Sequence, residues 1–388
     1  MNNPVGPLSA ADESFCHQIA ETFATVGTSD LAFTEKVCAM AAARDGSLQL
    51  GFGLGKYNNR NVMDGYAGVS RGLEQVTVRA SRRLFPDLHH TVIGPIRYEV
   101  LEPLHAVRFA LDANDAQSIA FDWVFESVVP CQTEDRTHQR SLDGRRVNAE
   151  LVRYHQTGVA SGWIEIDGVR TVIDPDEWVS TRDHSWGVRY DVGQEIADVE
   201  QVDPMAGLAF SMIWSPLLFE RADGSRYAVF MHTVTVEGFG SVLHKMVTGG
   251  IEHPDGRVEP FVDLDLQLDF HPTHRRLRGG TIVARMADGS TRPFHVRVPT
   301  DTGFHLGAGL YFGWQGHHHG EFRGEFHLDS ERIPDCTDPS VFRDLHQIRD
   351  TFVQVDDPVG GGHGWGNCQP IVTGEQPERR LAADTSFW

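Results

Sequence analysis

Between residues 258 and 270 the chain keeps a two-residue rhythm. In VDLDLQLDF, Leu264, Leu266 and Leu268 alternate with Asp263, Asp265, Gln267 and Asp269. Successive side chains of a strand point to opposite faces, so the stretch predicts a strand with one packed face and one wet face. The rhythm recurs along the chain. HAVRFALD and SIAFDWVFE predict a hairpin around ANDAQ, and ASGWIEIDGVRTVI a second hairpin at Asp167-Gly168. RYAVFMHTVTV, GGTIVARMADGSTRPFHVRV and LGAGLYFGWQGHHHGEFRGEFHL add further strands. Asp-Gly pairs punctuate them at 143–144, 167–168, 223–224, 255–256 and 288–289. Asp-Gly tolerates positive φ at both turn positions, as a type I′ hairpin requires.

Two segments follow a different pattern. SAADESFCHQIAETFA offers Ser9 as an N-cap with Asp12 and Glu13 in the first turn, and TSDLAFTEKVCAMAAARDG continues to a stop at Gly46. Together they predict a helical N-terminal segment. In PSVFRDLHQIRDTFVQV, Val341, Leu345, Ile348 and Phe352 fall at helical spacing and predict a C-terminal helix, followed by the Gly-rich tail PVGGGHGWGN. The strand material between them is about twice what one up-and-down barrel of about 8 strands uses. The fold class is therefore mainly β, with two antiparallel barrels in tandem. DPDEW interrupts the pattern near residue 178, giving domains at 1–178 and 179–388.

Composition narrows the partners. The 388 residues carry 34 Lys and Arg against 54 Asp and Glu, a net charge of −20. Such a charge repels phosphate backbones and anionic lipid, so nucleic acid is disfavoured and an apolar small molecule is not. No run of about 18 apolar residues is present, which argues against an integral membrane segment. Cys16, Cys38, Cys131, Cys336 and Cys368 are scattered and form no C-x-x-C pair, the usage of reduced thiols in a cytoplasm. The N-terminus has neither a basic nor an apolar leader pattern. Oligomeric state is left open, a homo-oligomer included.

The densest chemistry lies in STRDHSWGVRYD, residues 180–191. On a strand, Arg182, His184, Trp186, Val188 and Tyr190 share one face, and Asp183, Ser185, Gly187, Arg189 and Asp191 the other. The first face suits the wall of an apolar cavity with few polar groups. The second suits a charged clasp between strands. The bland alternative makes Trp186 core and His184 a satisfied histidine. A second cluster, GWQGHHHGEFRGEFH, sets His317, His319 and Glu321 on one strand face, the arrangement a metal site uses. Glu321 comes too early and Glu325 too late for the cupin spacing, so no metal is assigned. In AFDWVFE, Asp122 alternates with Phe121, Trp123 and Phe125. There is no Walker loop or H-E-x-x-H, and GFGLGKYNN lacks the βαβ setting of a dinucleotide site.

The succession VIGPIRYEVLEPLHAVRFALD, SIAFDWVFE, ASGWIEIDGVRTVI and RDHSWGVR resembles the tandem-lipocalin (calycin-like) superfamily over about residues 90–330. That superfamily includes the carotenoid 1,2-hydratases (hydroxyneurosporene synthases) and AttH-like proteins. The resemblance implies two lipocalin-like barrels side by side. It also implies cofactor-independent hydration of an alkene, or the reverse dehydration, through an acid-generated carbocation. His184-Ser-Trp186 matches the family's His-x-Trp pair. The family's Tyr-x-Asp pair has no match downstream, since Tyr190-Asp191 lacks the intervening residue, and the acid stays unnamed.

Three functions follow from these readings. The first is a hydro-lyase acting on a terpenoid-type alkene or tertiary alcohol, without cofactor. Its catalytic candidates are His184, Asp122, Asp183 and Tyr190, and its substrate-binding candidates are Trp186, Trp123, Phe125, Tyr311 and Trp314. The second is a lipocalin-like carrier of a hydrophobic ligand. The third is a metal enzyme on His317, His319 and Glu321.

Overall fold

The computed structural model of the chain describes residues 8, 10–13, 16–17, 20–141, 144–194, 198 and 207–387. The expected cap Ser9 and the turn residue Asp143 lie outside them. The alternating segments form two antiparallel sheets. The first has 14 strands. Its main path runs Phe326–Ile333, Glu74–Arg83, Val62–Arg71, Gln49–Tyr57, Phe33–Ala43, Trp178–Val188, Val147–Ile166, Ile119–Ser127, Ala106–Leu111, Ile96–Glu102 and Val92–Ile93. The second has 9 strands and runs Thr291–Arg297, Leu277–Met286, Val258–Phe270, Ser241–Glu252, Arg226–Gly238, Ala209–Arg221, Gly362–Thr373, Arg349–Asp357 and Gly303–His305. An extra pairing, His295 with Asp356 and Arg297 with Gln354, brings its first strand round to Arg349–Asp357 and nearly closes a barrel.

Each sheet encloses its own apolar core. Phe52, Phe109, Phe121, Trp123, Phe125 and Trp178 fill the first. Phe219, Tyr227, Phe261, Leu264, Leu268 and Phe294 fill the second. A third cluster, Met40, Ala42, Val159, Val179, Leu218 and Phe352, joins the sheets to each other. Trp178–Val188, which begins at the boundary expected near residue 178, is bonded between Phe33–Ala43 and Val147–Ile166 inside the first sheet. The second sheet takes up the chain at Ala209–Arg221, and Phe326–Ile333 returns to the first against Glu74–Arg83.

The two expected hairpins are present, at Ala106–Leu111 with Ile119–Ser127 and at Val147–Ile166 with Val169–Ile173. Among the Asp-Gly pairs whose two residues are both described, only Asp167-Gly168 takes positive φ at both positions, 51° and 82°. At Gly224, Gly256 and Gly289 the glycine alone is left-handed. There the glycine N–H bonds back to the residue three before it, the three-residue loop with a bulge rather than type I′.

Both expected helices are overturned. Among the described residues there is no α-helix, only short 3-10 turns. FTEKVCAMAAA, the middle of the supposed N-terminal helix, is the strand Phe33–Ala43. Met40, Ala41 and Ala42 are fully buried, because this strand lies between two neighbours in the first sheet and also faces the second. Small side chains allow that approach, and tertiary packing overrides alanine's helix propensity. At the C-terminal end the helical spacing comes from a turn followed by a strand. His346 and Gln347 adopt φ of 52° and 54°, which no α-helix continues through, and Arg349–Asp357 is extended. The Gly-rich tail is its hairpin partner, Gly362–Thr373. Glycine is required there, since a Cβ at Gly366 would lie 2.3 Å from the Pro216 carbonyl oxygen.

Candidate active site between the sheets

The strand Trp178–Val188 presents its two faces to two different interiors. Trp178, Arg182, His184 and Trp186 look toward the first sheet's own core. Arg182 is fully buried. It donates from Nε and Nη2 to Gln156 Oε1 at 3.0 and 2.6 Å and lies over the Phe125 and Tyr154 rings. His184 has Nδ1 3.1 Å from the Tyr154 hydroxyl and Nε2 3.0 Å from Glu35 Oε1. Trp186 stands edge-on to His184 and is partly exposed. Cross-strand register explains the grouping, because Gln156 and Tyr154 sit directly opposite Arg182 and His184.

The other face, expected as the clasp, lines a cavity between the two sheets. From the first sheet and its connections come Cys38, Met40, Arg153, Thr181, Asp183, Arg189, Tyr190 and Asp191. From the second come Met212, Trp214, His232, Ile348, Asp350, Asn367, Gln369 and Ile371, and the turn after Gly303–His305 adds Leu306, Tyr311 and Phe312. The cavity volume is about 100 Å³. That is well below the roughly 300–1,000 Å³ of sites enclosing drug-sized ligands. Tyr190 and Phe312 stack with ring centroids 6.3 Å apart on its lining, and Tyr190 is exposed.

The charges in this cavity are arranged in pairs. Arg153 Nη1 donates to Glu134 Oε2 at 3.2 Å, and its Nε lies 3.5 Å from Asp183. Arg189 lies 3.5 Å from Asp191. Asp350 forms no ion pair among the described residues, although the charge of Arg349, next to it in the chain, opposes its rise. Asn367 and Gln369 donate amide hydrogens to its Oδ1, each at 3.0 Å, and Thr181 donates to Asn367 at 2.8 Å. Burial raises the Asp350 carboxyl to about 7, outweighing those two hydrogen bonds, and Asp183 adds to the rise. Burial also raises Asp183, opposed by Arg153. Glu134 behaves oppositely. Burial disfavours its charge, but Arg153 and the adjacent His155 and His232 rings hold it well below the ordinary carboxylate range. Two carboxyls raised by burial, Asp350 to about 7 and Asp183 against the opposing charge of Arg153, thus face one cavity, with the lowered Glu134 behind it. Tyr311 and Cys38, 2.9 Å apart, are both pushed upward by burial and stay protonated.

Of the residues singled out in the sequence, Asp183, Tyr190 and Tyr311 meet in this cavity. His184 and Trp186 lie across the strand from it. Trp123 and Phe125 are core of the first sheet. Asp122 points out of that core and pairs with Arg108 at 3.3 Å. Trp314 packs with Leu310, Ile333 and Leu345 elsewhere. The histidine run divides: His317 pairs with Glu321 at 2.9 Å, whereas His319 lies 2.7 Å from Lys36 Nζ. Among the described residues no group of three or more His, Cys, Asp or Glu converges on a metal position. The sequence reading missed Asp350, Asn367 and Gln369. Their signal was present as a polar residue in RDTFVQV and as the alternation Asn367-Cys368-Gln369, hidden by the helix and tail assignments.

None of the curated proteins matches the sequence. Among solved structures, a Nitrosomonas europaea protein described as AttH aligns at TM-score 0.50 and 11% identity, covering 87% of this chain and 92% of that one. CghA, solved with Sch210972, aligns at 0.45 and 12%, covering 88% of each chain. Kievitone hydratase from Nectria haematococca aligns at 0.34 and 9%, covering 89% and 92%. The first likeness bears on the fold alone and agrees with the AttH-like architecture; the other two carry no argument. The profile of a family of unknown function, DUF8625, matches residues 8–367, and the chain belongs to that family.

Proposed function

We propose that the protein is a cofactor-independent hydro-lyase that adds water to, or removes it from, an apolar terpenoid-type alkene or tertiary alcohol at the cavity between the sheets. The observation that carries this reading is Asp350, a buried carboxyl raised to about 7 and in no ion pair among the described residues, on the cavity wall near Asp183. In the hydration direction the neutral Asp350 carboxyl gives its proton to the alkene carbon, leaving a tertiary carbocation. Water adds to the cation and returns a proton to a carboxylate, Asp183 or Asp350 itself. The dehydration direction uses the same groups in reverse. Trp214, Tyr311 and Phe312 offer ring faces to the cation, and Met40, Met212, Ile348 and Ile371 exclude stray water. The rest of the substrate extends outward past Tyr190. In this reading Asp122 and His184 take no proton from the substrate.

A second reading places the chemistry on the other face, at His184, where Tyr154, Glu35 and Trp186 surround a half-buried imidazole. One set of variants separates the two. Purified protein is incubated with terpenoid tertiary alcohols and alkenes and products are followed by gas chromatography. Asp350→Asn lowers turnover by about 10²–10⁴-fold under the first reading and His184→Ala leaves it near wild type. The reverse pattern establishes the second. Unchanged ligand recovered from wild type after prolonged incubation identifies a carrier instead.

A further inference from the structure

In a chain of net charge −20, the buried guanidiniums of Arg276 and Arg349 lie together and neither forms an ion pair with a buried carboxylate among the described residues. Arg349 is 2% exposed and Arg276 8%. Arg349 forms no ion pair with any described carboxylate; its acceptors are the Gly303 carbonyl, the Thr351 hydroxyl and the Asp301 carbonyl. Arg276 Nη2 donates to that same Asp301 carbonyl at 2.5 Å, so both guanidiniums converge on one neutral oxygen. The Asp301 carboxylate lies 3.8 Å from Arg276, with its side chain 69% exposed to water. Arginine cannot shed its proton, and a buried charge is costly unless an opposite charge meets it.

The third member is His305, 2% exposed and directly opposite Arg349 on the neighbouring strand. Neither of its ring nitrogens has a partner among the described residues. Burial, with Arg349 and Arg276 nearby, holds it well below the ordinary histidine range, so it is a neutral ring with one N–H to donate. A buried polar group left unpaired is itself unfavourable.

We propose that Arg276, Arg349 and His305 form a binding site for a small oxyanion, a phosphate or carboxylate group, which takes the place between the guanidiniums that the Asp301 carbonyl fills. Two planar forks of donors facing one acceptor suit such a group. The site is independent of the hydro-lyase reading, although Arg349 adjoins Asp350 in the same strand.

The test is calorimetric titration of the full chain with inorganic phosphate, acetate and chloride at matched ionic strength, with thermal melting beside it. Saturable heat and a rise in melting temperature with phosphate or acetate, absent with chloride, are expected, and the stronger of the two anions identifies the group. Arg276→Gln and Arg349→Gln are expected to weaken binding by about tenfold to a hundredfold each, while Arg278→Gln, an exposed control, leaves it unchanged. If Arg349→Gln does not fold, Arg276→Gln and the wild type decide. No saturable binding to wild type, or equal binding in Arg276→Gln, overturns the proposal, the latter marking an adventitious ion only.

Discussion

The contact that ties the sheets together should make stability fall on the alkaline side. His155, from Val147–Ile166 of the first sheet, is 2% exposed and stacks on Phe230 of the second with ring centroids 3.5 Å apart. Its Nε2 lies 2.6 Å from Glu252, and its Nδ1 lies 3.6 Å from Glu134, which also meets His232, Arg153 and Trp214. Burial works against the imidazolium, but the nearby Glu134 carboxylate and the hydrogen bond to Glu252 outweigh it and push the ring up to about 9. The gap from the ordinary 6.5, at about 1.36 kcal/mol per unit, corresponds to about 3 kcal/mol. The folded value lies above the unfolded one. The contribution is therefore complete below pH 6.5, declines through the window up to 9 and is gone beyond it. Glu134 acts in the opposite sense, its contribution being lost as pH falls below the ordinary glutamate range. Denaturant midpoints are measured for wild type and His155→Gln at several pH values from 6 to 10. The wild type should lose about 3 kcal/mol across that range beyond whatever His155→Gln loses. Parallel pH dependence in the two proteins refutes the charged clamp.

Phe352, fully buried between the sheets, should cost about 3–5 kcal/mol when replaced by alanine, read as a lower denaturation midpoint; a loss below about 1 kcal/mol would show that the sheets are not packed as described. Thr181→Val removes the hydroxyl that holds Asn367 against Asp350 and should cost about 1 kcal/mol of stability while moving the alkaline limb of the activity profile, whereas an unmoved limb separates that hydroxyl from the acid. Gly366→Ala forces a Cβ onto the Pro216 carbonyl and should lower the thermal midpoint by several degrees, measured by circular dichroism.

Which parts of this molecule could be read in advance follows from where the two interiors lie. Strands with one wet face, such as Val258–Phe270, kept their alternation and were legible. Phe33–Ala43 was not, because a strand buried on both faces loses its rhythm, and its alanines imitate a helix. The helix expected around Ile348 failed for a related reason: tight turns at His346 and Gln347 put apolar residues at helical spacing by coincidence. Within the strand the alternation separated His184 and Trp186 from Asp183. Tyr190, expected beside His184, lies past the strand's end at Val188 and lines the cavity with Asp183, and the sequence could not reveal that the charged face, too, meets an interior. An isolated sheet has one inside, whereas two packed sheets create a third space. Asp183 was found because it lay in a conspicuous motif. Asp350 was not, because its partners Thr181, Asn367 and Gln369 come from two other strands, one of them in the other sheet, and only the fold assembles them.

Everything proposed for the cavity turns on Asp350 as the acid of a hydration or dehydration reaction. The most direct measurement is the pH profile of turnover on a terpenoid tertiary alcohol, for wild type and Asp350→Asn. Wild-type activity is expected to be full on the acid side and to fall as pH rises through about 7, where Asp350 loses its proton, with Asp350→Asn reduced at every pH. Turnover in Asp350→Asn equal to wild type, with the same alkaline fall, would contradict it.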